Sequence, residues 1–162
     1  MPMQNELLIE ASKIVYGLAP KDITGSAQTA NWVSFKEYRK CAVHIMTGAW
    51  AGGTSAVTLT QATDNAGSGE KSLAFTKYYA STSTSDTVVE TTVSGNTYNL
   101  SAANKLHIIE VWAFDLDLAN GFTWFRVNLA SPGSNADLVS ILYNFYAGGR
   151  SARPATLPSV LS

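Results

Sequence analysis

The sequence is poor in charge and has no long apolar run. Charged residues make up 14% of the 162 residues, well below the roughly 25% of an average soluble domain. The formal net charge is −1 and no basic cluster is present. Nothing in the chain would neutralise a phosphate backbone, so we expect no nucleic-acid partner. No window approaches the roughly 20 apolar residues of a membrane span, so we expect no membrane partner.

Cysteine is also scarce, since Cys41 is the only one. This excludes an internal disulfide framework and a cysteine cluster for a metal, and it fits synthesis in a reducing compartment. In residues 1–20, Glu6 and Glu10 interrupt the apolar positions. The stretch lacks the basic start and the continuous apolar segment of a secretion signal. We therefore expect a soluble chain that is not secreted through a cleaved signal.

What the sequence does contain is a series of short runs with strand-like alternation. Residues 55–62 place Val57 and Leu59 on one face and threonines on the other. Residues 39–47 are largely apolar on both faces, which predicts a central strand covered on both sides. About nine or ten such runs, separated by turn signals every 8–12 residues or so, are typical of a β-sandwich or barrel. No long amphipathic helix intervenes, so the sequence predicts an all-β fold.

The ends of the chain differ from its middle. Residues 5–13 fit either one or two helical turns or an extended arm, leading into a strand at 14–18 that Pro20 ends. We predict one strand over 73–79 and a mobile loop at 80–85 (ASTSTS). The predicted organisation is an N-terminal arm with a first strand (1–30), a β-sandwich domain (31–147) and an extended C-terminal arm (148–162). The last segment has two prolines, no periodicity and aliphatic residues near its end.

The motifs that could carry chemistry fail on inspection. The GSGEKS run at 67–72 resembles a phosphate-binding loop, but Glu70 stands where a glycine should precede the lysine. The same loop lacks the ligand spacing of a calcium-binding EF-hand. Asp115 and Asp117 precede a turn and are predicted to cap it. His44 and His107 have no third partner that would make a zinc site. We predict a protein that is not an enzyme and has no catalytic residue, metal or cofactor.

Aromatic residues leave a second interpretation open. Most of the tryptophans and tyrosines fall at alternating strand positions, which predicts core packing. Trp50, within the glycine-rich run 48–54, is predicted to sit in a turn and to be exposed. An exposed tryptophan favours a docking contact with a neighbouring molecule. Stacking platforms for sugars are the alternative.

Residues 32–146 resemble small virion structural proteins of tailed bacteriophages, of the capsid decoration (cement) kind. The likeness is carried by WVSFKEYRKCAVHIMTGAWAGGTSAVTLTQATD, by GEKSLAFTKYY and by LHIIEVWAFDLDLANGFTWFRVNLASPGSNADLVSILYNF. The resemblance implies a single jelly-roll-like β-sandwich of about 8–10 strands with extended arms. It also implies a protein made in the bacterial host cytoplasm that binds the outer surface of the capsid, most often as a trimer, and bridges neighbouring subunits.

The expected partners are therefore the major capsid protein and further copies of the same chain. We expect the C-terminal arm to be buried on a neighbouring subunit, because spaced aliphatic side chains are rarely left in solvent. The predicted interface residues are Trp50, Arg150, Arg153, Leu157, Val160 and Leu161. Two alternatives remain open: a carbohydrate- or receptor-binding module of a phage fibre or tail, and a head or tail completion protein.

Overall fold

A computed structural model describes residues 8–147 of the chain. The described residues begin with a one-turn helix, α1 (Leu8–Ala11). They then form twelve strands: β1 (Ser12–Asp22), β2 (Gln28–Thr29), β3 (Val33–Ser34), β4 (Lys40–Trp50), β5 (Ser55–Ala62), β6 (Lys71–Leu73), β7 (Lys77–Thr82), β8 (Val89–Thr92), β9 (Tyr98–Leu100), β10 (Lys105–Trp112), β11 (Trp124–Leu129) and β12 (Asp137–Tyr146). Two 3₁₀ turns, Ala113–Asp115 and Leu118–Asn120, connect β10 to β11.

The strands form two antiparallel sheets that pack face to face. The first sheet has the order β1-β12-β4-β10-β7-β8, and the second has β2-β11-β5-β6, with β3 also on β11 and β9 also on β5. Several of the pairings nest: β1 with β12, β2 and β3 with β11, β4 with β10, and β5 with β6 and β9. Such nesting is the pattern of a chain folded double and rolled into a jelly roll. The predicted all-β, jelly-roll-like sandwich is confirmed, with twelve strands rather than the predicted 8–10.

The core lies between the sheets, where alternate residues of each strand point inward. Cys41, Val43 and Ile45 of β4 are completely buried, as the alternation predicts. Aromatic rings fill the centre of this core: Phe125 stacks on Phe35 at 5.3 Å and meets Tyr143 edge-on at 5.5 Å. Large rings packed in these orientations stabilise a sandwich core beyond the area they bury.

The first strand runs further than predicted. Proline 20 does not end it, because β1 is an edge strand of its sheet and continues to Asp22. Proline lacks a backbone N–H, and an edge strand tolerates this because its outer side has no neighbouring strand to receive a hydrogen bond. The pairing of β1 with β12 also shifts register between Leu18 and Lys21. Of the two possibilities for residues 5–13, the described part contains a single helical turn that leads directly into β1.

The strand predicted over 73–79 is wrong, because the chain changes sheets within it. Leu73 ends β6 in the second sheet, and Lys77 begins β7 in the first. Phe75, between them, is buried and meets Tyr98 edge-on at 6.2 Å. Alternation continues through the crossing because Leu73 and Phe75 both enter the core, so periodicity alone cannot reveal the break. The predicted loop at 80–85 is also partly wrong, since β7 runs through Thr82.

Candidate protein-binding surface

The structure places Trp50 differently from the prediction. It is the last residue of β4 and is half-buried, with its ring packed against the core. Its indole N–H donates a hydrogen bond to the carbonyl oxygen of Gly53 at 3.2 Å. The glycine-rich turn therefore begins after Trp50, and the expectation of an exposed tryptophan there is wrong. Arg150, Arg153, Leu157, Val160 and Leu161 lie outside the described residues.

The most unusual surface of the described chain is the outer face of the first sheet. One row of side chains crosses five strands on this face: Tyr16, Leu142, His44, Ile108 and Tyr79, each opposite the next in the strand register. A parallel row carries Ser140, Met46, Leu106 and Ser81. We call this area the apolar band. It is bordered by Ile14 on β1 and Leu138 on β12.

Apart from His44, Ser140 and Ser81, the apolar band lacks the polar residues that normally cover the solvent face of an antiparallel sheet. Tyr16 is 59% exposed, Ile14 45%, Leu138 44% and Met46 36%. His44, its one titratable imidazole, is half-buried, and burial lowers the pKa of its ring. A contiguous apolar area of this kind on a soluble domain marks a surface that another molecule covers. Strand β4 is central as predicted, but the described residues cover only its inner face.

At one end of the same face the chemistry changes from apolar to charged and aromatic. Trp112, Lys40 and Tyr146 form the row nearest this end. The Lys40 ammonium lies 3.7 Å from the centre of the Trp112 ring, a cation–π contact. The Tyr146 hydroxyl donates a hydrogen bond to Glu110 Oε1 at 3.3 Å. Burial, followed by the nearby Glu110 charge, raises the pKa of Tyr146 to about 12.

Next to this row lies a cleft of about 400 Å³, which we call the acidic cleft. The residues that line it come from the crossing segment after β6, from β7, and from the end of β10 with the turn that follows: Ala74, Phe75, Thr76, Lys77, Tyr79, Glu110, Val111, Trp112 and Asp115. Asp115 Oδ2 accepts a hydrogen bond from the backbone N–H of Trp112 at 2.7 Å, which fixes the turn as predicted. Lys77 is paired with Glu90 at 3.1 Å.

The other residues singled out from the sequence have structural roles. Asp64 accepts backbone N–H groups of Ala66 and Ser68, at 2.9 and 3.0 Å, and thereby shapes its loop. Glu70, which breaks the phosphate-loop pattern, accepts both of its hydrogen bonds from Arg126. Asp117 pairs with Lys71. Within residues 8–147 no group of three or more His, Cys, Asp or Glu side chains is placed to hold a metal ion.

The two histidines lie in unlike surroundings. His107 is buried on the inner face, with its ring centre 5.4 Å from that of Tyr98 and 5.6 Å from that of Tyr78. Burial, with a smaller contribution from Lys105, lowers the pKa of His107 to about 4. Its Nδ1 atom has no hydrogen-bond partner in the described part of the chain. His107 is thus a neutral core side chain, whereas His44 belongs to the outer face.

A fully buried carboxylate organises the loops at the opposite end of the sandwich. Asp137 accepts hydrogen bonds from the backbone N–H groups of Ala51 at 2.6 Å and Gly52 at 3.3 Å. Its own N–H donates to the carboxylate of Asp22 at 3.2 Å. These bonds join the turn after β4 to the start of β12, so they serve the fold.

Sequence reasoning missed the apolar band, although a signal for it was present. The apolar character of Ala42, His44 and Met46 predicts a covered face, and the register then adds Ile108 and Leu142 from distant strands. No single strand shows that these residues share one surface. The aromatic residues Trp112 and Tyr79, expected in the core, also belong to the outer face.

The sequence matches no protein-family model and no curated protein. Among solved structures, the SPBc2 prophage-derived protein YomS is similar, with a TM-score of 0.47 and 9% sequence identity over 84% of this chain and 93% of that protein. No helix among residues 8–147 is long and apolar enough to cross a membrane.

Proposed function

We propose that this chain is a non-enzymatic structural protein of a tailed-bacteriophage virion, which binds the outer surface of the capsid and stabilises it by bridging neighbouring subunits. The observation that carries the proposal is the apolar band, a face of the jelly-roll domain that residues 8–147 leave uncovered. Covering such a face with a second protein removes apolar area from water at about 25 cal/mol per Å². The resemblance of residues 32–146 to capsid decoration proteins supports the major capsid protein as the proposed partner.

Residues 148–162 add a second means of attachment. An extended segment gains contact area without a large globular interface, and it can pair with an exposed sheet edge. Its ordering costs conformational entropy, so its affinity in isolation is modest. Repetition on a capsid lattice, and association of this chain into a homo-oligomer such as a trimer, would convert weak single contacts into strong avidity.

Binding to expanded empty capsids tests the proposal. The unmodified protein should co-sediment with the particles and raise their thermal disruption temperature. Tyr16→Lys and Ile108→Lys place a charge in the apolar band and should reduce co-sedimentation at least tenfold, because a lysine ammonium buried in a contact without a partner is costly. Val89→Lys is the matched control, since Val89 is a strand residue that is 56% exposed on the far edge of the same sheet.

Three outcomes would contradict the proposal. The first is unmodified protein that stays in the supernatant at every concentration tested. The second is a control variant that loses binding as completely as the two band variants. The third concerns the arm. A chain that ends at residue 147 should stay folded and bind capsids more weakly. Unchanged capsid binding and unchanged particle stability would show that the arm is not part of the interface.

The acidic cleft favours one alternative function, a carbohydrate-binding module. Trp112 and Tyr79 supply aromatic faces there, and Glu110 and Asp115 supply carboxylate acceptors for sugar hydroxyls. Trp50 is less suited, because its ring packs against the core. A glycan array separates the two functions: saturable binding lost in Trp112→Ala and retained in Trp50→Ala would support the sugar site, and an array without hits would exclude it.

A further inference from the structure

The acidic cleft lies where the described chain ends. Tyr146 is the last residue of β12, and its hydroxyl already contacts Glu110 at the cleft. Ala147 follows with a φ of 56°, a left-handed conformation that turns the chain away from the strand direction. Residues 148 and 149 are both glycine, which permits a further sharp change of direction. The chain therefore leaves the sheet beside the cleft.

The cleft holds carboxylates that lack a cationic partner. Among residues 8–147, neither Glu110 nor Asp115 takes part in an ion pair. Lys77, which also lines the cleft, is paired with Glu90, and Lys40 sits over the Trp112 ring. Two carboxylates beside aromatic side chains form a site for a planar cation, because a guanidinium can donate two parallel hydrogen bonds to a carboxylate.

The segment after residue 147 carries that chemistry. Residues 148–162 contain Arg150 and Arg153 and no acidic residue. Strands β12 and β10 are separated by β4, and Tyr146 is level with Trp112 through Lys40, so the Tyr146 and Trp112 backbones are about 10 Å apart across two strand spacings. Three residues of extended chain span up to about 10 Å, so Arg150 can reach the cleft of its own chain, with the length of its side chain to spare.

We propose that the Arg150 guanidinium binds in the acidic cleft of its own chain, between the carboxylates of Glu110 and Asp115. This contact anchors the start of the C-terminal segment. The aliphatic residues Leu157, Val160 and Leu161 are then presented from a fixed point, which lowers the entropy that ordering the segment would cost on binding. This last consequence rests on the proposed function; the anchoring itself does not.

Limited trypsin digestion of the full-length protein tests the anchoring. The bond after Arg150 is the reporter, because the bond after Arg153 precedes a proline and resists trypsin. Cleavage of a docked segment follows the population of its open form. Glu110→Gln combined with Asp115→Asn should speed cleavage after Arg150 about fivefold, the size expected when an exposed ion-pair site is lost. High salt should speed cleavage of the unmodified protein in the same direction.

The control is Glu37→Gln combined with Asp86→Asn, which removes two exposed carboxylates elsewhere and makes the same change in net charge. It should leave the cleavage rate unchanged. Equal rates in the unmodified protein and the cleft variant would overturn the proposal, as would equal acceleration by the control. Protection that rises with protein concentration would also overturn it, because the segment would then dock on another copy.

The capsid assay keeps the two proposals apart. Protection of Arg150 in a protein that does not bind capsids would leave the anchoring in place and reject the proposed function. Capsid binding by a protein whose Arg150 is unprotected would reject the anchoring and leave the proposed function in place.

Discussion

Acidification should destabilise this protein through His107. Its imidazole is 7% exposed among aromatic rings, and burial lowers its pKa from 6.5 to about 4. A depressed folded-state pKa means that the folded state favours the neutral ring. The stability that this provides is fully present above about pH 6.5 and is lost as the pH falls from there towards 4.

The magnitude follows from the two pKa values. Each pKa unit corresponds to about 1.4 kcal/mol, so the whole shift is worth about 3 kcal/mol. At pH 5 the unfolded-state ring is almost fully protonated and the folded-state ring is mostly neutral, so about 2 kcal/mol is lost relative to pH 7. For a domain with a free energy of unfolding of about 5–15 kcal/mol, that loss is large.

His107→Phe removes the titrating group and keeps a stacking ring, with no buried Nδ1 atom. Urea unfolding followed by tryptophan fluorescence at pH 7, 6 and 5 measures the difference. The loss of unfolding free energy between pH 7 and pH 5 should shrink by about 2 kcal/mol in this variant. Identical losses in the variant and the unmodified protein would refute the reasoning.

Other titrating groups do not confuse this comparison. Burial also lowers the pKa of His44, but that ring is only half-buried, so His44→Phe should reduce the acid loss less than His107→Phe does. The carboxylates with lowered pKa values titrate from ordinary values of 3.8 to 4.5 downwards, below the pH range of the assay.

Three further predictions concern the fold. Gly17→Ala should lower the free energy of unfolding by about 2 kcal/mol, because the added Cβ would lie 2.6 Å from Cε2 of Tyr143; a urea midpoint equal to that of the unmodified protein would contradict this. Asp137→Ala should cost about 2 kcal/mol by the same measurement, since the Gly52 N–H loses its acceptor and the Ala51 N–H loses the shorter of its two hydrogen bonds. Asp86→Asn, at an exposed position, should cost under about 0.5 kcal/mol. The thiol of Cys41 should not react with Ellman's reagent until the protein unfolds, because burial raises its pKa and shields it; rapid labelling of the native protein would show that β4 opens.

Much of the fold follows from local alternation that the sequence displays directly. The buried residues of β5 and β12, and the inner face of β4, lie where a period of two places them, because side chains of a strand must alternate between core and solvent. Glu70, which breaks the phosphate-loop pattern, accepts two hydrogen bonds from Arg126, a partner that the local sequence does not reveal.

Tertiary structure decided what the alternation leaves open. The chain changes sheets between Leu73 and Lys77 although the apolar pattern continues, because the core accepts side chains from both sheets. Trp50 does not belong to the candidate surface, because β4 extends to this residue and its indole N–H donates a hydrogen bond to the carbonyl oxygen of Gly53.

The candidate surface depends on how the strands of the first sheet align with one another. Tyr16, His44, Ile108 and Leu142 come from four strands that are far apart in the chain, and only antiparallel pairing aligns them in one row. The acidic cleft likewise joins the end of β10 to the crossing segment before β7. By itself, the sequence determined that the domain is all-β and which residues of β4, β5 and β12 face its core, since these depend on neighbours in the chain. The outer surface depends on which strands lie side by side, and long-range pairing sets that order.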